Sequence, residues 1–441
     1  MKLVLAEKPS VAQSIAKVLG ATKREDGYLE GNGYVVSWCV GHLVELSQPE
    51  AYDEKYNKWA YADLPIFPDQ WKYQVSASTK KQFGILKKLM ARKDVESLVC
   101  ATDAGREGEL IFRLVYQQAG CRKPFERLWI SSMEDSAIRE GFEQLKPSTE
   151  YDALYEAALC RERADWLVGI NATRLFSTLY GQTLNVGRVM TPTLAMVVMR
   201  EAAISAFRPE PFYTVELAFQ DFTASGERMK QKVLADDVAR KCVGSVLNVT
   251  KAENKEKSEK PPALYDLTSL QRDANRVLGF TAQQTLDYTQ SLYEKKLVTY
   301  PRTDSRYLTS DMKDKEGEKQ LPSLTVGEGL SVYSTEVKEG KTSPPKHFTE
   351  DTLLQSMETA GADEMPEDAE RKGLGTPATR AATIEKLVRI GFLERKGDKK
   401  TKHLISTHKG TALVTVMPEQ IQSPSMTADW EEKLLMIERG E

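Results

Sequence analysis

Short apolar runs that stop at an acid alternate with helical periods through the first 145 residues, and this alternation constrains the fold more than any other feature. Lys2–Glu7 holds Leu3, Val4 and Leu5 in one unbroken run, the pattern of a strand buried on both faces. A helix follows from a Ser10 cap, with Val11, Ile15, Val18 and Leu19 on one side and Gly20 as its stop. Gly31-Asn32-Gly33 is a hairpin turn leading toward Gly41-His42-Leu43. Lys80–Met90 has helical spacing, Ser97–Thr102 is a second buried strand, and Asp103 to Glu109 opens a helix that runs to Tyr116. Leu128–Ile130 reads as a third strand, with a helix from Asp135 to Leu145. Strands and helices in this order specify a parallel α/β sheet.

In such sheets the chemistry collects beyond the carboxyl ends of the strands. Glu7 and Asp103 both lie there, and Glu107 is one helical turn past Asp103. Three carboxylates so placed can converge on a hard divalent cation, with Mg²⁺ the expected ion. Any one of them alone is an ordinary loop acid or helix cap. A second polar stretch runs from Leu297 through Tyr300, Pro301, Arg302, Thr303 and Asp304 to Tyr307. A β-like run ends at Tyr300, and Pro301 prevents a helix from continuing through it. An unperturbed phenol has a pKa of about 10, so only about one in a thousand is ionised at neutral pH. The Arg302 guanidinium can stabilise phenolate and grip a phosphodiester, a pairing suited to phosphoryl transfer onto a phenol. A bare Tyr-x-Arg is more often a strand-terminal aromatic beside surface arginines, so the weight falls on the longer string.

Composition narrows the class. At 441 residues, 41% hydrophobic and 28% charged, the chain is an ordinary globular protein of two to four domains. No apolar run is long enough to span a bilayer, and residues 1–7 lead straight into a strand, so neither an anchor nor a signal peptide is expected. Five scattered cysteines without a C-x-x-C argue against a zinc ribbon or a disulfide framework and fit a reducing cytoplasm. The net charge of −3 by itself argues weakly against a nucleic-acid partner, but its distribution matters more. Residues 350–370 carry eight acids and no Lys or Arg, whereas residues 371–410 carry eleven Lys/Arg against three acids. That reversal suits one surface facing phosphate; a solvated charged face is the competing reading.

Taken with Glu7-Lys8-Pro9-Ser10, the acid pattern resembles the Toprim domain shared by topoisomerases, primases and some nucleases, in its topoisomerase form. The string around Tyr300 resembles the active-site motif of type IA DNA topoisomerases, closest to the topoisomerase III branch. The implied fold is an α/β Toprim domain plus mostly helical base and tyrosine domains and a β-rich arch, a multidomain toroid-like architecture. Its implied bounds are 1–148 for Toprim, 149–210 for the first part of the base and 211–262 for the first part of the arch. They continue with 263–312 for a shortened tyrosine-bearing domain, 313–345 for the returning arch, and 346–441 for a winged-helix-like second part of the base. One departure stands out: the family has D-x-D-x-E where this chain has Gly105 in place of the second aspartate, which either lowers metal affinity or leaves Glu109 or water to fill the gap.

The resemblance implies that Tyr300 attacks a DNA phosphate, with Arg302 and Lys8 beside the developing charge and Glu7 handling the proton. It implies Mg²⁺ on Glu7, Asp103 and Glu107. Arg163, Asp165, Trp166, Arg174 and the run Gly187, Arg188, Val189, Met190, Thr191, Pro192 resemble a DNA-contacting region, where indoles stack on bases and arginines hold phosphates. Without the resemblance, Trp166 is as readily a core residue. Trp59 and Arg380 are further DNA candidates, and His42 is either near DNA or structural. The implied partners are single-stranded or negatively supercoiled DNA and a RecQ-type helicase, with the chain acting as a cytoplasmic, nucleoid-associated monomer.

After Met312 the resemblance breaks. A long stretch that completes the tyrosine-bearing domain in the family is missing, and the chain passes through Lys313–Lys319 to returning arch strands. No further basic tail or zinc module is expected after the amphipathic helix bearing Trp430, Leu434 and Leu435. Three functions therefore compete: a topoisomerase, a single-strand-binding remnant that cannot cut, and a Toprim nuclease or primase. The third leaves Tyr300 without a task.

Overall fold

The computed structural model describes residues 1–220, 222–250, 264–295, 297–298, 301, 329–361, 373–398 and 401–440. The expectations for Tyr300, Arg302 and the passage through Lys313–Lys319 lie outside these residues. The chain divides into two compact units. The first comprises Met1–Val198, Asp266–Asp304 and Phe348–Glu441; the second comprises Met199–Tyr265 and Ser305–His347.

The first unit begins with β1 (Lys2–Ala6), α1 (Pro9–Leu19), β2 (Lys23–Glu25), β3 (Tyr28–Gly31) and β4 (Tyr34–Trp38). A small hairpin of β5 (Val44–Leu46) and β6 (Tyr73–Val75) precedes α2 (Lys80–Ala91) and β7 (Ser97–Ala101). Next come α3 (Arg106–Gln118), β8 (Phe125–Arg127), α4 (Asp135–Glu143) and β9 (Lys146–Pro147). Among the described residues they build a seven-stranded sheet in the order β2-β3-β4-β1-β7-β8-β9. Its centre is parallel, as expected, and β2, β3 and β9 add antiparallel edges.

Alternation along β1 explains why helices cover both faces. Leu3 and Leu5 pack with Leu98, Cys100 and residues of α2 and α3, while Val4 and Ala6 pack with Val99, Ala101 and residues of α1 and α4. Each fully buried aliphatic side chain here stabilises the sheet by ~1.5–3 kcal/mol. Two sequence expectations shift. The first helix is capped by Lys8 rather than Ser10, because Pro9 is pre-set for the N1 position. The third strand is Phe125–Arg127 rather than Leu128–Ile130, because its register places Arg127 opposite Cys100, where a buried ion pair hides its polarity.

Helices α5 (Asp152–Tyr180) and α6 (Met190–Ala206) follow. In the second unit, β10 (Pro211–Ala218), β11 (Thr223–Ser225) and β14 (Ser334–Lys341) form an antiparallel sheet in the order β11-β10-β14. A separate ribbon pairs β12 (Val246–Asn248) with β13 (Gly329–Ser331). The sequence reading made this region all β, yet α7 (Lys232–Cys242) packs on the sheet through Ala235 and Ala239. Those small residues, four apart, give a helical contact too weak in hydrophobicity to announce itself.

The first unit resumes with α8 (Leu267–Leu278) and α9 (Ala282–Glu294), separated at Gly279 (φ 71°). It ends with α10 (Glu350–Glu358), α11 (Pro377–Arg389), the hairpin β15 (Leu393–Gly397) and β16 (Lys402–Ser406), α12 (His408–Val416), α13 (Glu419–Gln422) and α14 (Pro424–Arg439). Thr376 caps α11, Pro377 is its first residue, and Gly391 follows in the left-handed region. Leu297 and Val298 form a bend instead of the expected strand, because the Leu297 N–H turns back to the Leu292 carbonyl at 3.0 Å.

Candidate functional site

Parallel pairing of β1 with β7 sets Ala6 opposite Ala101, so the residues just beyond these strands emerge side by side. Glu7 is 5% exposed, and its Oε2 accepts a hydrogen bond from the Asp103 backbone N–H at 3.3 Å. The turn continues to Gly105, the N-cap of α3, and to Glu107 in its first turn, where the helix dipole favours an acid. Gly108 lets α3 approach this turn: a Cβ there would fall 2.1 Å from the Asp103 carbonyl oxygen. The Thr102 hydroxyl donates to the Gly108 carbonyl at 2.7 Å and closes the loop.

A fully buried arginine holds that loop from below. Arg127 donates to the carbonyls of Thr102 and Asp103, each at 2.7 Å, and pairs with Glu109 at 3.1 Å. Glu109, itself fully buried, also pairs with Arg113 at 2.8 Å. It is thus committed to two guanidiniums and does not stand in for the aspartate absent at Gly105. Sequence reading missed Arg127; an arginine directly before the apolar run Leu128-Trp129-Ile130 was the available signal.

Glu107 turns to His42, whose Nε2 lies 2.5 Å from its Oε1. Desolvation would lower the His42 pKa, but the hydrogen bond and charge of Glu107 outweigh it and raise it. The same hydrogen bond lowers the Glu107 pKa against desolvation. The three expected metal-binding acids therefore do not converge in this structure: Glu7 and Asp103 stand together, and Glu107 is drawn aside. Among the described residues no three His, Cys, Asp or Glu side chains are grouped to hold an ion. The donor chemistry, all carboxylate oxygen, still fits a hard cation.

Helix α9 reaches this acidic edge. Lys8 Nζ donates to Gln290 Oε1 at 3.2 Å, and Tyr293, one turn on, is 6% exposed. Burial pushes the Tyr293 phenol up, and the charges of Asp103 and Glu7 push it further. The helix ends at Glu294, six residues before Tyr300.

The expected DNA contacts are mostly packed inside. Trp166 is a core residue: its indole N–H donates to the Ser47 carbonyl at 3.1 Å, and Tyr52 and Trp71 meet its ring edge-on. Arg174 is buried, bonded to the Tyr56 carbonyl at 2.8 Å and to Glu50 at 2.6 Å. Its guanidinium also lies 5.3 Å from the centre of the Trp59 ring. Trp59 is 44% exposed and is the large aromatic of the set that faces solvent. Gly187 and Thr191 exchange hydrogen bonds that open α6, Met190, Thr191 and Pro192 are buried, and Val189 is half-buried. Arg188 is 3% exposed and paired with Asp165 at 2.7 Å and Glu431 at 3.3 Å. Arg380 is 3% exposed, donating to the Leu374 carbonyl and the Thr268 hydroxyl. Each of these arginines is held by protein partners in this structure.

No described helix is long and apolar enough to cross a membrane. The family model described as Toprim domain matches residues 2–133, and the one described as DNA topoisomerase matches residues 149–316 and 311–441. The second match is interrupted where the resemblance broke, just after Met312. The chain is 37% identical to DNA topoisomerase 3 of Bacillus subtilis, over 99% of this chain and 78% of that protein. It is 36% identical to DNA topoisomerase 3 of Shouchella clausii, over 100% of this chain and 78% of that protein. The first of these alignments runs over 574 positions against a chain of 441 residues, so a long internal stretch of the relative faces nothing here. A solved structure of full-length topoisomerase I from Thermotoga maritima is similar in fold, with a TM-score of 0.75 at 20% identity, covering 99% of this chain and 87% of that one.

Proposed function

The chain belongs to the type IA DNA topoisomerases, in the branch whose curated members are named DNA topoisomerase 3, and from that premise we propose that it cuts and reseals one strand of DNA through Tyr300. The reading is best supported by the acidic edge, where Glu7, Asp103 and Lys8 meet the helix that leads to Tyr300.

In the proposed reaction the Tyr300 oxygen attacks a backbone phosphorus of single-stranded DNA. The bond from phosphorus to the 3′ oxygen breaks, leaving a 5′-phosphotyrosine and a free 3′-OH. Tyr300 gives its phenolic proton to solvent, and Glu7, in its protonated form, supplies one to the departing 3′ oxygen and is left as the carboxylate. Arg302 and Lys8 offset the charge that builds on the phosphoryl oxygens. Resealing reverses these steps, and because the phosphotyrosine stores the energy of the broken ester, no ATP is required. A Mg²⁺ held by Glu7, Asp103 and Glu107 would supply positive charge near the 3′ oxygen. Residues 211–262 and 313–345 serve as the arch that lifts to pass a strand, so the activity relaxes negative supercoils or separates linked DNA. A RecQ-type helicase supplies unpaired DNA, and the chain works as a nucleoid-associated monomer.

The interrupted family match favours one second reading, a single-strand-binding remnant impaired in cleavage. Incubation with labelled single-stranded DNA and Mg²⁺ followed by denaturing electrophoresis separates the two. Cleavage gives a covalent adduct that Tyr300→Phe abolishes without loss of DNA binding; a remnant gives salt-dependent binding and no adduct.

A further inference from the structure

Two loops of the first unit meet through one carboxylate of the last helix. Arg106 sits between Gly105 and Glu107 in the acidic loop. Its Nη1 and Nη2 donate to Glu431 Oε2 at 3.4 and 3.5 Å, and its Nε pairs with Glu438. The other oxygen of the same carboxylate, Glu431 Oε1, accepts from Arg188 Nη1 at 3.3 Å. Arg188 belongs to the loop at 185–192 that opens α6. The Thr427 hydroxyl donates to the Arg188 carbonyl at 3.0 Å, and the Trp430 ring lies 5.4 Å from its guanidinium, so α14 grips this loop at three points.

Charge balance alone does not require this arrangement. Arg188 already has Asp165, and Arg106 already has Glu438. Desolvation would raise the Glu431 pKa, yet Arg161, Arg188 and Arg106 together lower it, so the group is an ionised carboxylate held between cations. A buried carboxylate shared by two arginines that each possess another acid contributes geometry, since its two oxygens fix how far apart the guanidiniums sit.

We propose that Glu431 is a positioning residue that sets the spacing between the acidic loop at 103–107 and the loop at 185–192. Resting on the cleavage reading above, it thereby sets where a DNA strand lying along the second loop meets the carboxylates of the first.

The test uses the full chain with Glu431→Gln, which keeps the shape and removes the charge. Glu438→Gln and Asp165→Asn serve as one-sided companions. Hydrogen–deuterium exchange is followed in peptides covering 102–110 and 185–192, with melting temperature as the check on folding. Glu431→Gln is expected to speed exchange about tenfold in both loops, Glu438→Gln in the first alone, and Asp165→Asn in the second alone. In the adduct assay, Glu431→Gln is expected to slow adduct formation at saturating DNA about tenfold while single-strand affinity in EDTA stays within about twofold. Exchange unchanged in either loop, or raised equally throughout the first unit, overturns the proposal. Absence of an adduct from the unsubstituted chain would instead refute the cleavage reading and leave the exchange result to judge the coupling by itself.

Discussion

Restoring the missing acid at position 105 is the sharpest test of the acidic edge. A Cβ built on Gly105 meets nothing within 4 Å, and its backbone (φ 173°, ψ 172°) is extended, so aspartate enters without steric cost. The new carboxylate would sit roughly 6 Å from those of Glu7 and Asp103, and at an effective dielectric of about 40 each repulsion costs about 1.4 kcal/mol. That penalty is present with and without a cation, so it lowers stability in EDTA but cancels in binding. A divalent ion about 5 Å from the added charge gains about 3 kcal/mol at the same dielectric, which solvent reduces to about half. Gly105→Asp is therefore expected to lower the melting temperature in EDTA and to reduce the Mg²⁺ concentration for half-maximal thermal stabilisation about tenfold. The same shift should appear in the Mg²⁺ dependence of adduct formation. A variant destabilised in EDTA whose Mg²⁺ response is unchanged would show that no ion binds at this edge, and the reasoning would fail.

Other substitutions separate packing from recognition. Trp166→Ala removes a buried indole and its hydrogen bond to Ser47, so a loss of ~3–5 kcal/mol in urea denaturation is expected, with single-strand affinity in the folded protein changed less than about twofold. Trp59→Ala should do the reverse: stability within about 0.5 kcal/mol and DNA affinity reduced by ~1–3 kcal/mol in fluorescence titration, as for a lost base stack. The His42–Glu107 pair makes stability depend on pH. His42, raised from 6.5, contributes fully below that value and loses its contribution as pH rises through its folded pKa; Glu107, lowered from 4.5, contributes above that value and loses its contribution as pH falls. The pair therefore stabilises most between about pH 4.5 and 6.5. Because both side chains are well exposed, His42→Gln should lower stability by under about 1 kcal/mol inside that window and flatten the fall in melting temperature on either side of it.

What the sequence disclosed follows from how local its causes are. The strand at Lys2–Ala6 and the acids after β1 and β7 were readable because five-residue apolar runs and glycine stops act within one element. The left-handed turns at Gly20 and Gly391 were readable for the same reason. The packing of the arginines was not legible because their partners are remote: Arg174 is held by Glu50, 124 residues away, and Arg188 by Glu431, 243 residues away. Nothing local distinguishes such an arginine from one waiting for phosphate. The burial of Trp166 was hidden on the same ground, since Ser47 and Trp71 enclose it from another part of the chain. Helix α7 was hidden for a different reason, namely that alanines make its contact and leave Val233 and Leu234 exposed.

The interruption after Met312 bears unequally on the steps of the proposed reaction. Cleavage needs Tyr300 carried to the acidic edge, and the helix that leads to it is fastened at both ends by residues that survive. At its start, the Ala282 N–H donates to Glu350 at 2.6 Å; Glu350 is itself paired with Arg395 at 2.8 Å, and Arg395 with Glu385 at 2.7 Å. Near its end, Gln290 accepts from Lys8 and Tyr293 lies buried beside Glu7 and Asp103. A buried carboxylate capping an N-terminus and a lysine contact across the sheet edge make α9 a strut between the winged-helix-like region and the Toprim sheet. Every group in that strut precedes Met312 or follows Phe348, so the missing stretch removes none of them. The fastening of α9 at the acidic edge therefore depends on parts that are present, and the missing stretch bears instead on the rest of the tyrosine-bearing domain, which the strut does not replace.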